Sequence, residues 1–133
     1  MVSQAQHRVQ GTDGMTFGQA VRSCYSNYAT FSGRAARSEY WFFVLFQCLI
    51  GIVCGLLMPL GIGQTLLWLT VLANLLPGIS VIVRRLHDTD RSGWWYWIAL
   101  VPLVGAILLI IWFCTRGTSG ANRFGPDPLS GLD

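Results

Sequence analysis

The side chains in this sequence that can do chemistry crowd into one stretch, Arg84-Arg85-Leu86-His87-Asp88-Thr89-Asp90-Arg91. Adjacent His87 and Asp88 have the groups to relay a proton or hold a cation, and the Arg84/Arg85 pair has the geometry to grip a phosphate. A second polar group, Arg34, Arg37 and Glu39, lies earlier in the chain. Neither group has a nucleophile with a base at a recognisable spacing, so catalysis is not expected and no residue is assigned a catalytic role. One histidine cannot build a metal site, and His7 stands apart in the polar N-terminal stretch, so no metal or cofactor is expected either. Cys24, Cys48, Cys54 and Cys114 form no CxxC pair. Cys48 and Cys54 sit about 9 Å apart along a helix, too far to bridge, and the cysteines read as small packing residues.

What must position these groups is set by composition. The chain has 133 residues, enough for one domain; 53% are hydrophobic and 11% charged, against roughly 25% charged in a soluble domain. The apolar residues fall into long runs, which makes this an integral membrane protein. The net charge is +3, from nine arginines and no lysine. Those arginines flank the apolar runs rather than lining a helix face, a layout that sets membrane topology and attracts anionic headgroups. Nucleic acid is therefore not an expected partner.

The expected fold class is all-α: one N-terminal interfacial amphipathic helix and three transmembrane helices. Residues 1–14 are polar and aperiodic and read as a disordered lead-in, not a signal peptide. Phe17, Ala20, Val21, Cys24, Tyr25 and Tyr28 mark one face of a helix over about 16–30, with Thr16 as its N-cap. Spans follow at about 38–58, 64–83 and 93–115, within a membrane domain over 15–128; 116–133 is a tail. Pro59 to Gly63 is an uncharged turn. The second span carries Asn74, Pro77 and Gly78: Asn74 suits a hydrogen bond to another helix, and Pro77 predicts a kink. The third opens on Trp94, Trp95, Tyr96 and Trp97, an interfacial aromatic belt, with Ser92 as its cap. Seven arginines up to Arg91 on one side, against Arg116 and Arg123 on the other, predict a cytoplasmic N-terminus and, with a full third crossing, an external tail. Pro102 and Gly105 interrupt the middle of that segment; if they turn it into a re-entrant hairpin, the tail returns to the cytoplasm.

A tight hairpin of the first two spans brings Arg34, Arg37 and Glu39 to the same membrane face as Arg84, Arg85, His87, Asp88 and Arg91. Glu39 should then pair with Arg84 or Arg85, and Asp88 with Arg34 or Arg37, since an unpaired charge at the hydrocarbon edge is costly. Trp94 and Trp95 beside arginines can also clamp a headgroup.

Three ordered motifs carry a family resemblance. They are Phe31-Ser32-Gly33-Arg34 through Arg37 to Glu39-Tyr40-Trp41; Arg84-Arg85-Leu86-His87-Asp88 with Ser92-Gly93-Trp94-Trp95; and Asn122-Arg123-Phe124-Gly125-Pro126-Asp127-Pro128. Over about Phe17 to Pro128 the chain resembles the small bacterial inner-membrane proteins called domain of unknown function 805. The resemblance implies a multi-pass protein of the bacterial inner membrane and supplies no activity. Where that family usually has Gly, this chain has Asp90; if the backbone there is left-handed, Asp tolerates it better than most residues but less well than Gly. In the tail motif, Arg123 with Asp127 is expected to dock the stiff Gly-Pro-Asp-Pro segment onto the bundle.

The function that follows is non-enzymatic: binding of a membrane partner or of anionic phospholipid headgroups through the Arg/Asp/Glu/His cluster, in the lipid bilayer or as a homo-oligomer. The alternative is a subunit of a small oligomeric transporter or channel, with Asn74, Pro77 and Gly78 as the polar break in its pathway.

Overall fold

The computed structural model describes residues 15–129; the expected disordered lead-in lies outside the described residues. The architecture is helical: α1 (Phe17–Ser26), α2 (Arg37–Leu56), a short 3-10 helix (Met58–Leu60), α3 (Gly63–Asp88), a second 3-10 helix (Gly93–Leu100) and α4 (Val104–Cys114).

Helix α1 starts where Thr16 caps it. The Thr16 hydroxyl accepts the Gln19 N–H at 3.3 Å and the Gln19 side chain accepts the Thr16 N–H at 3.0 Å, a reciprocal box that satisfies two otherwise unpaired donors. Its apolar stripe turns toward α2: Phe17 meets Phe42 and Phe46 edge-on, and Tyr25 meets Phe43 and Phe46. The helix ends at Ser26, short of the expected boundary at residue 30.

Helices α2 and α3, of 20 and 26 residues, are long and apolar enough to cross a membrane. At 1.5 Å per residue they span about 30 and 39 Å, against a hydrocarbon core of ~30 Å. Their turn is closed by Gly63, where a Cβ would lie 2.3 Å from the Cys54 carbonyl. Asn74 ties three helices together: its Oδ1 accepts from Gln47 of α2 at 3.1 Å and from the Tyr25 hydroxyl of α1, while its Nδ2 donates to the Thr70 carbonyl. Pro77 sits inside α3 without ending it. Leu56, Leu72 and Trp68 stay largely exposed, a surface suited to lipid and not to water.

The third expected span is corrected. Residues 93–115 are not one helix but a hairpin of two short limbs. Ser92 caps the first, accepting the Trp94 N–H at 3.3 Å, as the sequence suggests. The chain then leaves helical geometry at Val101 and reverses at Leu103, which has φ 65° and ψ −59° with Val104 N–H bonded to the Pro102 carbonyl at 2.7 Å. That three-residue γ-turn is rare for an L-residue. Pro102 supplies the physical reason, because it lacks an N–H and steers its neighbour away from helix. The limbs lie side by side: Trp95 meets Trp112 edge-on at 5.8 Å, and a Cβ on Gly105 would fall 1.7 Å from the Ile98 carbonyl. Each limb is about 16 Å long, half of what a crossing needs. Cys114 therefore returns to the end of the bundle where α2 starts and α3 stops, and the tail lies there too, not at the far end.

Because only glycine fits against Ile98, Gly105→Ala should destabilise the full chain in detergent by about 1–3 kcal/mol, the range for overpacking a tight contact. Gly55→Ala, whose Cβ meets nothing within 4 Å, is the control and should be neutral. Equal melting temperatures for the two variants would contradict the hairpin.

Candidate functional site

The α2–α3 turn puts Arg34 to Glu39 beside Arg84 to Asp88. Consecutive residues on a helix point about 100° apart, so Arg84 and Arg85 serve different neighbours. Arg84 turns toward α1 and α2. Its Nη1 donates to Glu39 at 2.7 and 3.1 Å and its Nε to the Ser80 hydroxyl at 3.3 Å. Ser23 of α1 donates to the same Glu39 carboxylate at 2.9 Å. Ser80 is itself held against the chain that follows α1, its single O–H shared between the Asn27 carbonyl at 2.7 Å and the Thr30 carbonyl at 2.5 Å. One atom of this knot, Arg84 Nη2, is buried without a hydrogen-bond partner.

Arg85 turns the other way and is fully buried. Its Nε and Nη2 donate to the Phe113 carbonyl at 3.2 and 3.0 Å, Nη2 also reaches the Thr115 carbonyl, and Nη1 reaches Ala35 O at 3.4 Å and the Asp88 carboxylate. The last carbonyls of a helix lack partners and carry its negative dipole end. Here they belong to α4, and Arg85 caps them, joined by Trp41 on Phe113 O at 3.1 Å and Arg37 on Cys114 O at 3.2 Å.

Asp88 takes Arg34 on one oxygen at 3.0 Å and Arg85 on the other. Arg34 also straps the tail, donating to Gly120 O at 2.6 Å and Thr118 O at 2.5 Å, while the Thr118 N–H donates to Asp88 O at 2.8 Å. Gly117 is pressed so close that a Cβ would sit 2.1 Å from the Asp88 carboxylate. His87 has separate partners. Its Nδ1 lies 2.9 Å from the Gly33 carbonyl, so Nδ1 carries the proton, since a carbonyl only accepts. The ring stacks on Phe124 at 4.0 Å, and Asn122 donates to the His87 carbonyl at 2.9 Å. No hydrogen bond between His87 and Asp88 forms a relay among these contacts.

The sequence-predicted residues thus divide into two sets. Arg34, Glu39, Arg84, Arg85, His87 and Asp88 are buried; Glu39 is on Arg84, Asp88 is on Arg34 and Arg85, and His87 keeps its separate partners. Arg37, Trp94 and Trp95 are exposed, and Arg91, half-buried, lies over the Trp112 ring at 4.4 Å. Of the polar-break residues, Asn74 is a helix tie, Pro77 is buried, and Gly78 faces open space.

In the tail motif, Arg123 and Asp127 each reach the bundle: Arg123 pairs with Asp90 at 3.3 Å, both exposed, and the Asp127 carboxylate lies 3.9 Å from the Arg34 guanidinium. Burial pushes the Asp127 carboxyl up, but the Leu129 and Gly120 amides, with Arg34, outweigh it and hold the group below the usual carboxylate range. Ser23, Ser80, Gly117 and Thr118 carry no motif that would single them out; only the spacing of Ser80 four residues before Arg84 hints at a shared helix face.

Asp90 takes the left-handed backbone that favours glycine. It has φ 61°, with Asp90 N–H on His87 O and Arg91 N–H on Leu86 O, the bond pair of a Schellman cap closing α3. All eight arginines among the described residues (Arg22, Arg34, Arg37, Arg84, Arg85, Arg91, Arg116, Arg123) belong to segments at this end, and the α2–α3 turn has none. The expected split of seven against two is corrected accordingly, because the hairpin returns Arg116 and Arg123 to the cluster.

Comparison with known proteins places this geometry in context. Residues 28–126 match the family model described as "Protein of unknown function (DUF805)". The chain is 46% identical over 112 residues to the inner membrane protein YhaI of Escherichia coli (strain K12), covering 82% of this chain and 94% of that protein. It is 44% identical over 111 residues to the inner membrane protein YhaH of the same strain, covering 77% and 89%. No solved structure matches.

Removing one partner from a buried ion pair strands the other, so Arg85→Met should cost about 3–5 kcal/mol of stability. Arg85→Lys should fail to restore it, lacking the planar fork that spans several carbonyls. Arg37→Gln, at an exposed position, should cost under about 1 kcal/mol. Thermal unfolding in one detergent compares the three, and a mild Arg85→Met phenotype would remove the clamp from the account. At the Schellman position, Asp90→Gly should keep or raise the melting temperature, whereas Asp90→Val should lower stability by about 1–2 kcal/mol.

Proposed function

Because the chain belongs to the DUF805 family, and the relatives it matches are inner membrane proteins, we propose that it is a non-enzymatic, two-span membrane protein whose arginine-bearing end binds anionic lipid headgroups. The reading rests on one observation: every described arginine is gathered at one end of a bundle whose other end is uncharged. Such asymmetry supports a cytoplasmic position for that end, where the anionic leaflet attracts it. Both termini are then cytoplasmic, and the hairpin of residues 93–114 enters the bilayer and comes back without crossing. Helix α1 lies along the same interface, packed on α2, with Tyr28 and Phe31 exposed at its end.

Within this reading the two sets of residues have different jobs. The buried set, Arg34, Glu39, Arg84, Arg85 and Asp88, is held by internal ion pairs and backbone carbonyls, with Arg84 Nη2 alone unpartnered among its described donors, and is a clamp, not a headgroup ligand. The outer set meets the lipid: Arg37 and Arg91 for the phosphate, Trp94 and Trp95 for depth. The stack of Arg91 on Trp112 holds that cation in place, with Nη1 on the Thr89 carbonyl at 3.3 Å. A transport pathway loses its polar break, since Asn74 is already engaged by Gln47 and Tyr25.

Replacing both Arg37 and Arg91 with Gln should weaken phosphatidylglycerol binding about 30-fold at low salt, taking about 1 kcal/mol per arginine near the surface. Lipid extracted with the purified full chain measures this, and unchanged phosphatidylglycerol content sinks the headgroup reading. A reporter fused after Asp133 should give a cytoplasmic signal; a periplasmic one overturns the topology.

A further inference from the structure

Beside the last turns of α3 runs a groove of about 700 Å³, within the roughly 300–1,000 Å³ typical of ligand sites. One wall is Ile79, Ile82 and Val83; the other is Trp97, Ala99 and Leu100 of the 3-10 helix Gly93–Leu100. His87 and Ser92 also line it, and both belong to the charged end of the bundle. From Ile79 to His87 the groove follows about 12 Å of helix, from the interfacial cluster into the apolar part of the span. His87 has its Nδ1 on Gly33 and one ring face on Phe124, which leaves the Nε2 edge to meet a ligand. Two cations belong to the chain around this polar end: Arg91, next to Ser92 and stacked on Trp112, and Arg123, stacked on the Phe124 that covers His87. Asp90, paired with Arg123, offsets only one of them.

An apolar trough of this length, closed at its interfacial end by hydrogen-bonding groups and net positive charge, matches one amphiphile of the surrounding bilayer. We propose that it seats an acyl chain of an anionic phospholipid, with the chain between Ile82 and Leu100, the ester region at His87 and Ser92, and the phosphate toward Arg91. The inference rests on the headgroup reading above and adds to it a defined seat for the chain. A peptide fits poorly, since these walls carry almost nothing to pair with a peptide backbone. A second copy of the chain is the remaining occupant, and its signature differs.

The test fills the groove from either wall. Ile79→Phe and Ala99→Phe both add bulk at exposed positions, and Leu72→Phe, on α3 but outside the groove, controls for the substitution. The full-length protein is taken from vesicles of phosphatidylglycerol and phosphatidylethanolamine and weighed intact after detergent exchange. The wild type and Leu72→Phe should retain one phosphatidylglycerol, and both filled variants should lose it by about tenfold, the equivalent of roughly two buried methylenes. Retention by the filled variants, or none by the wild type, overturns the proposal. So does a wild-type dimer that the filled variants dissolve, which would put a second copy in the groove. If one lipid of either class is retained and lost on filling, the chain seat stands and the headgroup reading falls.

Discussion

The whole arrangement depends on how Arg85 is satisfied. A guanidinium with no solvent exposure must find acceptors for its fork of donors or cost several kcal/mol. Here those acceptors come from three places: the Asp88 carboxylate one turn on, the Ala35 carbonyl before α2, and the Phe113 and Thr115 carbonyls at the end of α4. The requirement is mutual. Those α4 carbonyls have no helical partner of their own, and without Arg85 only the Trp41 indole would remain on Phe113 O. Arg85 therefore fixes where the hairpin ends, and through Asp88 and Arg34 it fixes where the tail begins.

From that constraint the rest follows as packing. Arg34 ties Asp88 to Thr118 and Gly120, so the tail closes over the cluster. Gly117 is the contact where the tail comes nearest. Arg84, one position away, carries the other half of the load by binding Glu39 and, through Ser23, α1. Two adjacent arginines on one helix thus join four segments. The hydrophobic contribution is smaller than in a soluble domain of this size, because Leu56, Leu72 and Leu100 remain exposed to the surroundings. In a bilayer such residues gain nothing by packing on each other, and polar ties and close-fitting glycines take over that role.

Several parts of this were legible from residue order. The pairs Glu39–Arg84 and Asp88–Arg34 follow from a tight hairpin, which the uncharged turn before Gln64 announces. The left-handed Asp90 follows from noticing a residue where a related pattern carries Gly. The third segment was not legible in the same way. Trp94 to Thr115 contains no charge and has the length of a span, and hydropathy measures length without measuring direction. Pro102 and Gly105 signalled an interruption, but a kink and a reversal share the same residues. Only the γ-turn at Leu103 and the fit of Gly105 against Ile98 decide between them. The partners of the tail residues were not legible either: Arg123 reaches Asp90, and Asp127 lies by Arg34 while accepting the Gly120 and Leu129 amides, pairings set by distance through space.

By itself the sequence determined the class of the molecule, its first three long helical segments, its family and the end of the bundle where most of the charge collects, because each depends on composition or on spacing along the chain. The tertiary structure alone decided that the last apolar segment folds back, that the tail returns to the arginines, and that the cluster is sealed inside. Those outcomes depend on which acceptors a buried cation can reach through space, a quantity that no count along the chain contains.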